Sequence, residues 1–104
     1  MSIIKWRKGL TIDLDITHSI KRVEFDWTDW LNEIGADTIL TSSNSSSSNV
    51  DVTFISDTGT SVLLSITANG TAVVDADAFL TCIIQTANGQ SEPRTIKFNL
   101  LNNL

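Results

Sequence analysis

Apolar and polar residues alternate in short runs along most of this chain, and that period of two confines it to a β fold. Leu10, Ile12, Leu14 and Ile16 are separated by Thr11, Asp13 and Asp15, so they share one face of an extended strand. Val23, Phe25 and Trp27 alternate with Arg22, Glu24 and Asp26 in the same way. Val50, Val52, Phe54 and Ser56 form the next face, closed by Asp57-Thr58-Gly59-Thr60, and Val62, Leu64 and Ile66 follow, closed by Ala68-Asn69-Gly70-Thr71. Beyond an acidic loop through Asp75 and Asp77, Leu80, Cys82 and Ile84 point inward, and Ile96, Phe98 and Leu100 complete the pattern. Ala87-Asn88-Gly89-Gln90 predicts a type I′ hairpin, because Asn-Gly accepts positive φ. Pro93 stands at the entrance of the last strand, where a missing N–H is tolerated. Short strands about ten residues apart, with turn residues between them, predict an all-β, immunoglobulin-like β-sandwich.

The period changes once. Trp27, Trp30, Leu31 and Ile34 lie at i, i+3, i+4 and i+7, the stripe of a helix. A helical turn is therefore expected over residues 28–34, with Thr28 or Asp26 as N-cap and Gly35 as its stop. Asp26, Asp29 and Glu33 take the outer face. Thr38-Ile39-Leu40-Thr41 reads as a strand, and the Ser/Asn run from Ser42 to Asn49 has the composition of a flexible linker. Between two β runs it also fits a polar edge strand; a strand passing into a loop is the preferred reading.

Length bounds the chain to one domain. At 104 residues it buries enough surface for a single core. Cys82 is the only cysteine, which excludes an internal disulfide and, on its strand face, fits a small core residue. The net charge of −5 argues against a nucleic-acid groove. No apolar run approaches the length of a membrane span, and residues 1–5 lack the apolar stretch of a signal peptide, so synthesis in a cytoplasm is expected. The charge is unevenly placed: Lys5, Arg7, Lys8, Lys21 and Arg22 precede the Trp segment, whereas residues 38–91 contain no Lys or Arg. A basic end on an acidic body suits an acidic partner or the next copy of the chain.

Candidate chemistry is sparse. His18, in Thr17-His18-Ser19, is the single histidine and lacks the neighbours of a hydrolytic triad. Asp13 with Asp15, and Asp75 with Asp77, read as solvated acids without a calcium-loop pattern. One Cys and one His do not make a zinc site. No enzyme and no cofactor are expected. Trp6, among basic residues in a segment without strand pattern, reads as part of an arm reaching a partner. Residues 1–19 are accordingly expected to form an N-terminal arm with an added strand of its own, and residues 20–104 the sandwich. The expected interaction residues are Trp6, Arg7, Leu10, Ile12, Leu14 and Ile16; Phe25, Trp27, Trp30, Leu31 and Ile34 are expected to be structural.

Phe25-Asp26-Trp27-Thr28-Asp29-Trp30-Leu31 resembles the aromatic-Asp-Trp-Ser/Thr-x-Trp-Leu motif of small immunoglobulin-like virion proteins of tailed bacteriophages, the fiber–tail adaptor group. Gly35-Ala36-Asp37-Thr38-Ile39-Leu40-Thr41-Ser42 resembles that family's Gly-Asp-Thr-Ile-x-x-Ser with one extra residue, and the likeness extends over residues 20–101. Ala78 stands where members usually carry an aromatic. The resemblance implies a non-catalytic virion component at the tail, neck or fiber–tail junction. Its implied partners are other phage structural proteins and further copies of itself, without nucleic acid or membrane. A capsid-decoration protein is the alternative within that class. A carbohydrate- or cell-surface-binding sandwich is the alternative outside it, and requires aromatics exposed on a sheet face or loop tip.

Overall fold

The computed structural model describes residues 3–17 and 20–102. Eight strands and one short helix follow in order: β1 (Ile3–Lys5), β2 (Thr11–Asp15), β3 (Ile20–Asp26), α1 (Thr28–Glu33), β4 (Ile39–Ser46), β5 (Val50–Asp57), β6 (Ser61–Ala68), β7 (Asp77–Thr86) and β8 (Ser91–Leu101). They make two four-stranded sheets packed face to face, ordered β1-β3-β6-β5 and β2-β8-β7-β4. The all-β sandwich expected from the alternation is present.

The core lies where the inward faces meet. Val23 and Phe25 from β3, and Leu64 and Ile66 from β6, oppose Leu80 and Ile84 from β7 and Ile96 and Leu100 from β8, all fully buried. Cys82 is buried and unpaired within that layer. Trp27 and Leu31 close one end of it, with Trp30 and Ile34 half-buried against it, so the helical stripe faces inward. Asp26, Asp29 and Glu33 are exposed. The helix starts from Trp27 rather than from a side-chain N-cap on its own residues. Instead the carboxylate of Asp26, one residue before that N-cap, accepts the Thr28 N–H at 2.9 Å. Gly35, at φ 110°, ends the helix in the left-handed conformation that glycine adopts at little cost.

Three local expectations are corrected. The Ser/Asn run is strand as far as Ser46: Ser42 pairs with Ile84, Asn44 with Cys82 and Ser46 with Leu80. As the outer strand of its sheet, β4 is held by backbone hydrogen bonds on one side and needs no apolar face. Only Ser47 to Asn49 turn, the Ser47 N–H donating to the Phe79 carbonyl and the Asn49 amide to that of Asp77. The hairpin after β7 is not type I′, because Asn88 keeps negative φ and only Gly89, at 87°, is positive. The Gly89 N–H reaches the Thr86 carbonyl and the Thr86 N–H that of Gln90, a type I turn followed by a glycine bulge. Phe54, expected inside, is 49% exposed, since the edge strand opposite it offers serines rather than an apolar floor.

Pro93 on β8 pairs with Ile83 of β7, in the half of β8 that β2 does not cover, so its missing N–H breaks no ladder bond on the open side.

Candidate functional site

An aromatic and guanidinium cluster fixes the N-terminal segment to the sandwich. The backbone of β1 runs parallel to β3, with Ile4 beside Val23 and Lys5 beside Glu24, and the Trp6 N–H continues to the Glu24 carbonyl. The Trp6 ring then stacks on Phe25 at 6.4 Å between centroids, and Phe25 on Trp27 at 5.7 Å. Arg94, projecting from β8, lies 4.5 Å over Trp6 and 5.0 Å over Trp27. Its guanidinium donates to the Asp26 carbonyl at 2.8 Å and sits 3.9 Å from Glu92. The Trp6 indole donates to the Thr95 carbonyl at 2.9 Å, on the uncovered edge of β8. Burial lowers the Arg94 pKa, while Glu92, Asp26 and Asp29 oppose that shift. Each cation–π contact of this kind is worth about 0.5–2 kcal/mol, so the cluster is a clamp between the two sheets.

This clamp revises the expected arm. Trp6 packs on its own domain, and residues 10–14 belong to its core: Leu10, Ile12 and Leu14 are all buried. The backbone of β2 pairs in parallel with β8, Ile12 beside Phe98 and Leu14 beside Leu100. Ile16 is half-buried against the same core. Of the six interaction residues expected, Arg7 is the one with an exposed side chain, in the turn after β1. The period-two pattern in this segment marks a strand of the sandwich itself. His18 lies outside the described residues.

Asp37, in the Gly35–Ser42 stretch that follows the Trp motif, is buried. Its carboxylate accepts the Thr38 N–H at 2.8 Å. The Thr86 hydroxyl, foremost, with the Thr38 and Asn88 groups, holds its carboxyl below the usual range against the opposing effect of desolvation. Next to it the Thr38 carbonyl accepts the Ala87 N–H at 3.0 Å, which ties the segment after α1 to the β7–β8 hairpin. Among the described residues, no three His, Cys, Asp or Glu side chains gather closely enough to hold a metal ion, and no helix is long and apolar enough to cross a membrane.

An open border is formed by β4 and β5, the outer strands of the two sheets at one side of the sandwich. Both strands are eight residues long and each breaks register once, at Leu40 and at Ile55. Leu40 is 64% exposed, and Phe54 and Ile55 are also exposed. Ile39 donates its N–H to the Gly59 carbonyl, which brings the β4 bulge to the end of β5 where its own bulge lies. The sequence signal for this border was the serine run: a polar outer strand leaves the apolar residues facing it uncovered. Elsewhere, Phe79 is exposed on the outer face of the second sheet, where it lines an open depression with Asp77 and Lys97. Comparison with family models, curated proteins and solved structures gives no match.

Proposed function

We propose that this chain is a non-catalytic structural protein of a tailed-phage virion, at the tail, neck or fiber–tail junction, that assembles through the borders of its sheets. The observation that carries this reading is the β4–β5 border. Two long outer strands there lack Lys and Pro, the residues that usually blunt an edge, and they expose Leu40, Phe54 and Ile55. Strand addition to such edges is a standard mode of association. The Trp motif, which carries the resemblance to the phage proteins, serves as a core plug and clamp. An immunoglobulin-like reading of the sandwich is supported by its strand order. Labelled A, A′ and B to G in chain order, the strands form A-B-E-D and A′-G-F-C layers, with β1 departing from that pattern by running parallel to β3.

Mass spectrometry of purified phage particles tests the proposal. The chain is expected in fixed stoichiometry with tail proteins; its presence in the infected cell but not in the particle would overturn it. Recovery with capsids lacking tails would move it to the decoration role. A carbohydrate- or cell-surface-binding role is favoured by one observation, the exposed Phe79 beside Asp77 and Lys97. A glycan array whose hits vanish in Phe79→Ala would establish that role.

A further inference from the structure

We infer that copies of this chain join head to tail, the basic β1–β3 border of one sandwich meeting the acidic β5 border of the next; this rests on the structural reading above. Three observations carry it.

The first is charge. Around β1 and β3 stand Lys5, Arg7, Lys8, Lys21 and Arg22, five cations against Glu24 and Asp26. Among the described residues, none of the five is held in an ion pair. The opposite border carries Asp51 and Asp57, both exposed on β5, in a stretch without Lys or Arg from residue 38 to 91. In the second sheet β2 is acidic at Asp13 and Asp15, and β4, which would face it, has no charge at all. Neither sheet then sets like charges together.

The second is direction. β1 runs parallel to β3, β3 antiparallel to β6 and β6 antiparallel to β5, so β1 and β5 point the same way. β2 runs parallel to β8, β8 antiparallel to β7 and β7 antiparallel to β4, so β2 and β4 also agree. A neighbour related by rotation about an axis along the strands continues both sheets at once, in parallel pairing, and the operation repeats at every copy. This is the heterologous contact from which rings and filaments are built.

The third is apolar surface at both borders: Leu40, Phe54 and Ile55 at one, Ile3 and Ile20 at the other. A two-fold β5–β5 contact would be disfavoured, because antiparallel pairing centred on Phe54 sets Asp51 of each copy against Asp57 of the other.

Sedimentation and native mass spectrometry of the full chain at low and high ionic strength test the inference. The wild type is expected to form concentration-dependent multiples of 11.4 kDa that shrink as salt screens the borders. The double variants Asp51→Lys/Asp57→Lys and Lys5→Glu/Arg22→Glu are each expected to be monomeric, with wild-type circular dichroism. Mixed in equal amounts, they are expected to assemble again in alternation. A Lys5→Glu/Arg22→Glu protein that assembles like the wild type overturns the proposal, as does a mixture that stays monomeric. A wild type that stays monomeric at every concentration also overturns it, while the virion role stands or falls on the particle composition.

Discussion

Arg94 shows how one side chain can join parts distant in sequence. It stands on β8, yet it reaches the Trp6 and Trp27 rings and the Asp26 carbonyl. Arg94→Ala removes both ring contacts and a charge-assisted hydrogen bond, and is expected to cost about 1–3 kcal/mol in urea unfolding. Arg94→Lys keeps the charge without the planar fork and should recover less than half of the loss. A full recovery would mean that charge alone matters there. Cys82 gives a second test at this scale. Burial pushes its thiol from an ordinary 9.0 up to about 12. The unfolded chain therefore releases this proton near pH 9 while the folded chain keeps it. The sign follows from linkage: stability is unaffected by this group below pH 9 and falls as pH rises from about 9 toward about 12. The chain has no tyrosine, so lysines are the main other titrating side chains in that window. Cys82→Ala should flatten the decline measured by urea unfolding at a series of pH values; identical pH slopes in the two proteins would refute the assignment.

At the scale of elements, the central strands were plain in the sequence and the outer ones were not. β6, β7 and β8 lie inside their sheets and turn every second side chain toward the core, fully buried along most of their length, so alternation alone locates them. β4 is held from one side by β7, and its Ser and Asn residues satisfy that ladder without any apolar signal. For the same reason Phe54 on β5 matches the inward pattern yet stays exposed, because alternation reports a face and not what covers it. The segment before β3 shows its strand in the alternation but not where that strand goes: its partner β8 lies more than eighty residues away, beyond the reach of local pattern. Of the candidate site, the inward Trp motif was legible, whereas Arg94 was not: it is a charged residue on the inward face of β8, in register with Cys82, and its ring partners come from other strands. The placement of β2 has a direct consequence. Deleting residues 1–17 removes Leu10, Ile12 and Leu14 from the core, each worth about 1.5–3 kcal/mol of burial, and strips one side of β8. The truncated chain is expected to lose its cooperative thermal transition in circular dichroism. A shortened protein that melts like the wild type would restore the idea of a separable arm. Gly89→Ala, at φ 87°, should cost about 1 kcal/mol by straining the β7–β8 turn, read as a lowered urea midpoint with unchanged slope.

For the whole molecule, the parallel pairing of β2 with β8 closes the chain on itself, since Leu14 near one end lies beside Leu100 near the other. Closing so long a loop is an entropic cost that only the completed core offsets, and a domain dominated by such non-local pairing folds slowly and as one unit. Helix α1 and the clamp of Trp6, Phe25, Trp27 and Arg94 sit on the same core, so no large part can detach without exposing buried aromatic surface. Native-state hydrogen exchange distinguishes this from a sandwich with a loosely attached first segment. If the chain is one cooperative unit, the slowest amides of β2 exchange through global unfolding, with the same denaturant dependence as those of β7. Were residues 3–17 a separate unit, their amides would exchange through a smaller opening at lower free energy, while β6 to β8 remained protected. That result would leave β2 free to pair with β8 of a neighbouring copy, and the assembly contact would then be an exchange of strands rather than a meeting of borders.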